Sequence, residues 1–386
     1  MLKTKKWFTI VGSIMAAAWM LFSISFNFNV VSSSRNELAD FGSFIASGIE
    51  LKAGNNPYGT SSPLIFEAYF PRVQSGGKLP NLNPPITLLV FESLADSDPL
   101  RAINLWRILS SLVYAISVLV LSNQYKPSAL RILWAFSLAG FWHTTGLGQI
   151  YTPLLLLVSL IWINSLRKNQ LYAGIFLGLL ISIKPNFAIW LLLLAIAGNW
   201  AALKASVATI AITGLIPLTR MPPTVYLQWL EAANVDNKIL SMPGNSSLIG
   251  LTSRIGHPEI GMGLAVLLIL ITIFLIHRAR INKQEIPSEV VNSAGVLLCL
   301  LASPISWAGY TILALPIFFS LKKWGLSTSI AAAMLTVPFN FIMHFYYLGS
   351  INFIFWGWWY GLALTICMTY VLQGLLHSDR IAVKRS

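Results

Sequence analysis

Of the thirteen acidic residues in this 386-residue chain, Asp40 is the one whose position invites chemistry. It opens a helix-like stretch, DFGSFIASGIEL, shortly after the first long apolar run. An acid in a helix's first turn is commonly a cap or a partner for the helix dipole. At the lip of a cavity, beside an apolar surface able to hold a lipid, it would be a general base. Lys184 is the matching cation. In ISIKPNFA it separates two short apolar stretches, where a charge at membrane depth is costly and points to function, although a lysine can also snorkel its ammonium to the interface. Other polar groups fall at similar breaks. Gly148-Gln149 separates two apolar runs, Asn245-Ser246-Ser247 begins NSSLIGLTSR and so leads to Arg254, Ser303-Pro304 and Trp307 share a turn, and His344 precedes Tyr346-Tyr347. Asn245-Ser246-Ser247 also fits a glycosylation sequon, a pattern of low specificity, and aromatic residues at such places usually form an interfacial belt. No P-loop, GxSxG or HExxH pattern occurs, which leaves NTP hydrolysis, serine acyl transfer and HExxH-type zinc hydrolysis without support. Cys299 and Cys367 lie inside apolar runs and argue against a disulfide framework or cysteine metal site. No acidic cluster suggests a metal, and no cofactor is expected.

The elements that must hold these residues are membrane helices. Hydrophobic residues make up 56% of the chain and charged ones 10%, against about 25% charged in soluble domains. Candidate spans are 7–31, 103–121, 130–146, 150–166, 171–183, 185–198, 201–218, 261–277, 290–303, 306–320, 326–345 and 352–372, several of them shorter than the roughly 20 residues of a full crossing. The first ends without a small-residue cleavage pattern and reads as a retained anchor. With both termini cytoplasmic, inner segments hold sixteen of the 26 basic residues and three of the thirteen acidic ones, as the positive-inside rule requires. Fusing 171–183 with 185–198 would place Arg278, Arg280, Lys322 and Lys323 outside. The basic surplus is thus an orientation signal, and nucleic acid is excluded as a partner. A single polytopic domain, residues 1–386, carries two long outer loops, 32–102 and 219–260, and functional residues concentrate on such loops. In the first, Leu38, Phe41, Phe44, Ile45 and Ile49 predict an amphipathic helix on the membrane surface, ended by AGNNPYG. A second interfacial helix is expected over Asn83–Ala95, with Pro84 and Pro85 in its first turn.

Taken in order, an Asp before an interfacial helix, G-x-N-P-Y, N-P-P, G-Q, K-P-N, N-S-S-L-x-G-L-x-x-R and S-P-I-S-W resemble glycosyltransferase family 87 over residues 38 to 310. The resemblance implies an all-α integral membrane protein, a GT-C-type bundle of about 12 transmembrane helices. It implies a polyprenyl-phosphate-sugar donor, a mannose in most members, a glycolipid or glycan acceptor, and an extracytoplasmic site in the cell membrane with Asp40 catalytic. On that basis Lys184 and Arg254 are candidates for the donor phosphate, and Gln149, Asn245 and Trp307 for the sugar or acceptor. A monophosphate leaving group requires no metal. Many members of the family have His two residues after the Trp of S-P-x-S-W. Here that place is Gly309, in SPISWAGY, which leaves any role of the imidazole to another group, with His344 the candidate.

Two other readings remain at this point. A transporter or lipid flippase would share the hydrophobicity but should carry inverted repeats and polar residues near mid-span, and no convincing repeat relates the halves. A lipid-linked polysaccharide polymerase or ligase usually has its large outer loop late in the chain, whereas the longest one here follows the first span.

Overall fold

Backbone groups removed from water can be satisfied within a single segment only by a helix, and in this chain the described residues are helical with no strand. The computed structural model describes residues 2–33, 39–59, 81–234, 237–284, 286–347 and 350–376. Positions 60–80 of the expected first outer loop, and Glu285 and Asp379 of the inner-side acids, lie outside them. In chain order the helices are α1 (Leu2–Ser33), α2 (Ala39–Lys52), α3 (Pro85–Glu92), α4 (Pro99–Tyr125), α5 (Ala129–Ser137), α6 (Ala139–Leu147), α7 (Tyr151–Leu166), α8 (Gln170–Ile183), α9 (Ile189–Ala197) and α10 (Trp200–Leu215). They continue as α11 (Thr224–Ala232), α12 (Asn237–Leu240), α13 (Leu248–Ser253), α14 (Pro258–Ile281), α15 (Ser288–Leu301), α16 (Leu315–Ser320), α17 (Leu326–Leu335), α18 (Phe339–Tyr346), α19 (Ser350–Gly357) and α20 (Trp359–Leu376). Short 3-10 helices occupy Pro185–Ala188, Ile216–Thr219 and Ala308–Ala314.

Helix ends obey local chemistry. Asp98 caps α4 by accepting from the Arg101 amide at 2.8 Å, and Pro99 fills the first position, where its missing N–H costs nothing. Lys184 precedes Pro185 and is driven out of the helical region to φ −137°, ψ 91°, as the residue before proline must be. That corner ends α8.

By length and hydropathy five helices among the described residues qualify as spans, or six if α17 and α18 count as one. The expected count of about 12 membrane helices, several of them short, is thus not confirmed. The differences have physical causes. The expected span 130–146 breaks at Leu138, whose backbone is extended, into α5 and α6. The expected span 326–345 bends by 83° between α17 and α18, where Pro338 starts the second helix. Five further apolar segments are only 10–17 residues long, and such short pieces are stable at membrane depth because protein surrounds them. In α15 every residue from Val291 to Leu301 is buried, so this is the central helix. Around it α4, α10 and α14 expose Leu, Ile and Phe side chains, the surface that hydrocarbon would cover.

The helix after Asp40 also departs from expectation. From Phe41 to Gly48 every residue of α2 is buried. It is packed against protein, with Phe41 and Phe44 on Phe91 of α3 at ring separations of 6.0 and 5.0 Å, instead of lying on a surface. An apolar stripe reads alike whether lipid or protein covers it.

Two cavities mark opposite ends of the bundle. The first is lined from the starts of α2 and α7, the end of α6, Lys184 and Trp307. The second is lined from the ends of α7, α9, α14 and α20 and the start of α15. Between them α7 runs one way, α8 returns, and α9 runs back again, so the chain does reverse at Lys184-Pro185.

Candidate active site

Asp40 stands in the first turn of α2 and lines a cavity of about 480 Å³. Gln149 reaches it from the turn after α6, where Nε2 donates to Asp40 Oδ2. That turn depends on Gly148, whose φ of +67° favours glycine and whose absent Cβ would lie 2.6 Å from Cβ of Phe41. Sequence neighbours of the two functional residues are therefore in contact, and this contact sets their spacing.

Lys184 enters from the corner after α8. Its Nζ lies 5.5 Å from the ring centre of Tyr151 and 5.7 Å from that of Tyr310, and the two rings are 3.8 Å apart. This is within cation–π range. Among the described residues no carboxylate comes within ion-pair distance of the amine. Burial raises the Asp40 carboxyl above the ordinary carboxylate range, opposed by the Gln149 hydrogen bond and then by the Lys184 charge.

Trp307 completes the group of expected residues on the cavity wall, beside Asn83, His143, Phe339 and Tyr347. Asn245, Arg254 and His344 do not line it. Asn245 is fully buried and employed as a staple. Its Nδ2 donates to Leu240 O and Pro304 O at 2.9 and 3.0 Å, and its Oδ1 accepts from Ser247 N and Ser306 N. The N-S-S-L and S-P-I-S-W motifs are thus bonded to each other. Arg254 Nη2 donates to Met242 O and Asn245 O, both at 2.8 Å, and so holds the loop that puts Met242 and Pro243 on the wall. Its Nε and Nη1 are buried without a hydrogen-bond partner among the described residues. The G-x-N-P-Y and N-P-P motifs are joined in the same manner, by Tyr58 OH donating to Asn83 O at 2.7 Å.

His344 is exposed, with its ring against Phe345. The imidazole near Gly309 is that of His143. A Cβ at Gly309 would come within 3.4 Å of His143 Nδ1, 2.6 Å of Thr144 Oγ1 and 2.7 Å of Gln149 Oε1. Sequence reasoning passed over His143, Tyr151 and Tyr310. The signal for His143 was its place six residues before Gln149, in the apolar run that leads to it. No group of three or more His, Cys, Asp or Glu suited to a metal occurs among the described residues.

The arrangement can take a proton at Asp40, orient that carboxylate through Gln149, and hold negative charge at Lys184. The model of glycosyltransferase family 87 matches residues 81–304, more than half of the chain. Neither a curated protein nor a solved structure matches it.

Proposed function

The chain belongs to glycosyltransferase family 87 and is by that membership a membrane glycosyltransferase, and we propose that it moves mannose from polyprenyl-phosphate mannose to a glycolipid or glycan acceptor. The reaction runs at the extracytoplasmic face of the cell membrane, with both termini cytoplasmic, as the sequence's charge asymmetry suggests. Asp40 takes the proton of the acceptor hydroxyl while that oxygen bonds to the anomeric carbon. The bond from this carbon to the phosphate oxygen breaks, and its electron pair goes to the lipid phosphate, which Lys184 steadies. One direct displacement inverts the anomeric centre. Gln149 and Trp307 contact sugar or acceptor, whereas Asn245 and Arg254 serve by holding the loop beside them.

The observation that carries this reading is that a half-buried carboxylate held by an amide, and an amine outside ion-pair distance of every described carboxylate, line one cavity. Purified protein incubated with polyprenyl-phosphate mannose and a panel of glycolipids should yield a product with inverted anomeric configuration. A product that retains configuration would overturn the single-displacement mechanism. Transfer from nucleotide sugar alone would overturn the donor.

A further inference from the structure

Arg107 lies well inside α4, a span of 27 residues, and is only 8% exposed. A guanidinium there is expensive and needs a reason. Its Nη2 donates to Gly146 O at 2.8 Å and its Nε to Thr145 O at 3.4 Å, two carbonyls in the last turn of α6. The preceding residue, Trp106, donates from Nε1 to Gln149 O at 3.3 Å. Consecutive side chains of α4 therefore take backbone carbonyls on both sides of Gly148, the residue on which the turn pivots.

A cation on the final carbonyls of a helix is ordinarily a cap and dipole partner. That explains the contact but not why it is made from a membrane span, nor why its neighbour bonds to Gln149. We infer that Arg107 is a positioning residue for Asp40, gripping the end of α6 so that Gln149 presents its amide to the carboxylate. Arg107 touches no substrate and acts through Gln149. The inference rests on Asp40 being the base only for its consequence in catalysis, since the geometry holds either way.

Besides Gln149, the groups that bear on Asp40 are Lys184 from the end of α8, Tyr151 from α7 and Tyr310 from the third 3-10 helix. His143 of α6 lines the same cavity.

The test is the titration of Asp40 in purified protein by pH-difference infrared spectroscopy, its carboxyl band assigned by loss in Asp40→Asn. Gln149→Leu removes a hydrogen bond that favours the charged form and should move the midpoint up by about one pH unit. Arg107→Leu should move it in the same direction by a similar amount, and Arg107→Leu with Gln149→Leu no further than Gln149→Leu alone. Arg107→Lys, which can satisfy one carbonyl but not the fork of two, should fall between. A midpoint for Arg107→Leu at the wild-type value, or shifts that add in the double variant, would overturn the inference. Should Arg107→Leu fail to fold, Arg107→Lys decides: an unmoved midpoint overturns the inference. No substrate is needed, so the result is independent of the base assignment, which fails separately if Asp40→Asn still transfers sugar.

Discussion

Gln149 Nε2 donates to Asp40 Oδ2 across 109 positions of sequence, joining the turn after α6 to the first turn of α2. This one bond links the acid singled out by its position to the amide singled out by its motif, and the first two predictions concern it.

Asp40→Asn should leave expression intact and reduce sugar transfer by about 10²- to 10⁴-fold, the usual contribution of a general base. Glu50→Gln is the control. Glu50 Oε2 bonds to Asn55 at 2.8 Å on the surface, away from the cavity, and transfer should be unchanged. Retention of more than about a tenth of activity in Asp40→Asn would remove it as the base.

The pH profile follows from burial. Because Asp40 must be ionised to act and its carboxyl is raised, kcat/KM should fall with decreasing pH at a value above the ordinary carboxylate of about 3.9. Gln149→Leu should shift that fall to still higher pH. Stability has the opposite sense. An acid raised on folding contributes stability that is present below its unfolded pKa and lost as pH rises through the folded one. Asp40→Asn should therefore raise the thermal midpoint at neutral pH, where loss of a mere charged partner for the helix dipole would lower it. Calorimetry across pH distinguishes the two.

Lys184→Met should lower kcat/KM for the donor by about 10²- to 10³-fold, the scale set by loss of one electrostatic stabiliser, with little change in folding. Normal transfer by a well-expressed Met variant would reduce the lysine to a snorkelling one.

Gly309→Ala should be damaging despite adding one methyl group. The new Cβ would press on Thr144 Oγ1 and Gln149 Oε1, and displacing the amide by about 1 Å can cost about 10²-fold in rate. Its pH profile should resemble that of Gln149→Leu. A variant with wild-type rate would mean that Gln149 yields without loss.

For topology, α14 is a span flanked by exposed His257 and Asn282. His257→Cys should react with an impermeant thiol reagent added to intact cells and Asn282→Cys should not. Both native cysteines are buried and should stay silent. The reverse labelling would place the active site on the cytoplasmic face.

Asp40, Gln149, Lys184 and Trp307 were legible because each interrupts an apolar run, and in a chain crossing back and forth such breaks gather at its ends. Which of them share a cavity is another matter. Asn245, Arg254 and His344 satisfy the same criterion, yet two are consumed in holding loops and the third points away. Lateral position within one end depends on packing between distant helices, and local pattern does not encode it. Arg107 was hidden for a related reason: one cation scarcely alters the hydropathy of a long apolar run, although its cost there is large. The motifs proved to be paired staples, Tyr58 with Asn83 and Asn245 with Ser306, and a reading that takes motifs singly misses such partnerships. Helix count suffered most, because a break such as that at Leu138 requires no special residue.

Lys184 faces two phenol rings and lies outside ion-pair distance of every described carboxylate, so Asp40 and Lys184 stand as separate opposite charges around one cavity. In the proposed transfer a proton arrives on Asp40 as an electron pair arrives on phosphate. Negative charge is relocated from one wall to the other, and the total within the cavity stays constant. A poorly solvated space resists a change in total charge far more than such an internal move. The cycle closes only when the dianionic lipid has gone and Asp40 has released its proton. Were the lipid to leave first, an unbalanced cation would remain behind, so the two departures are tied and product release becomes a proton-linked step.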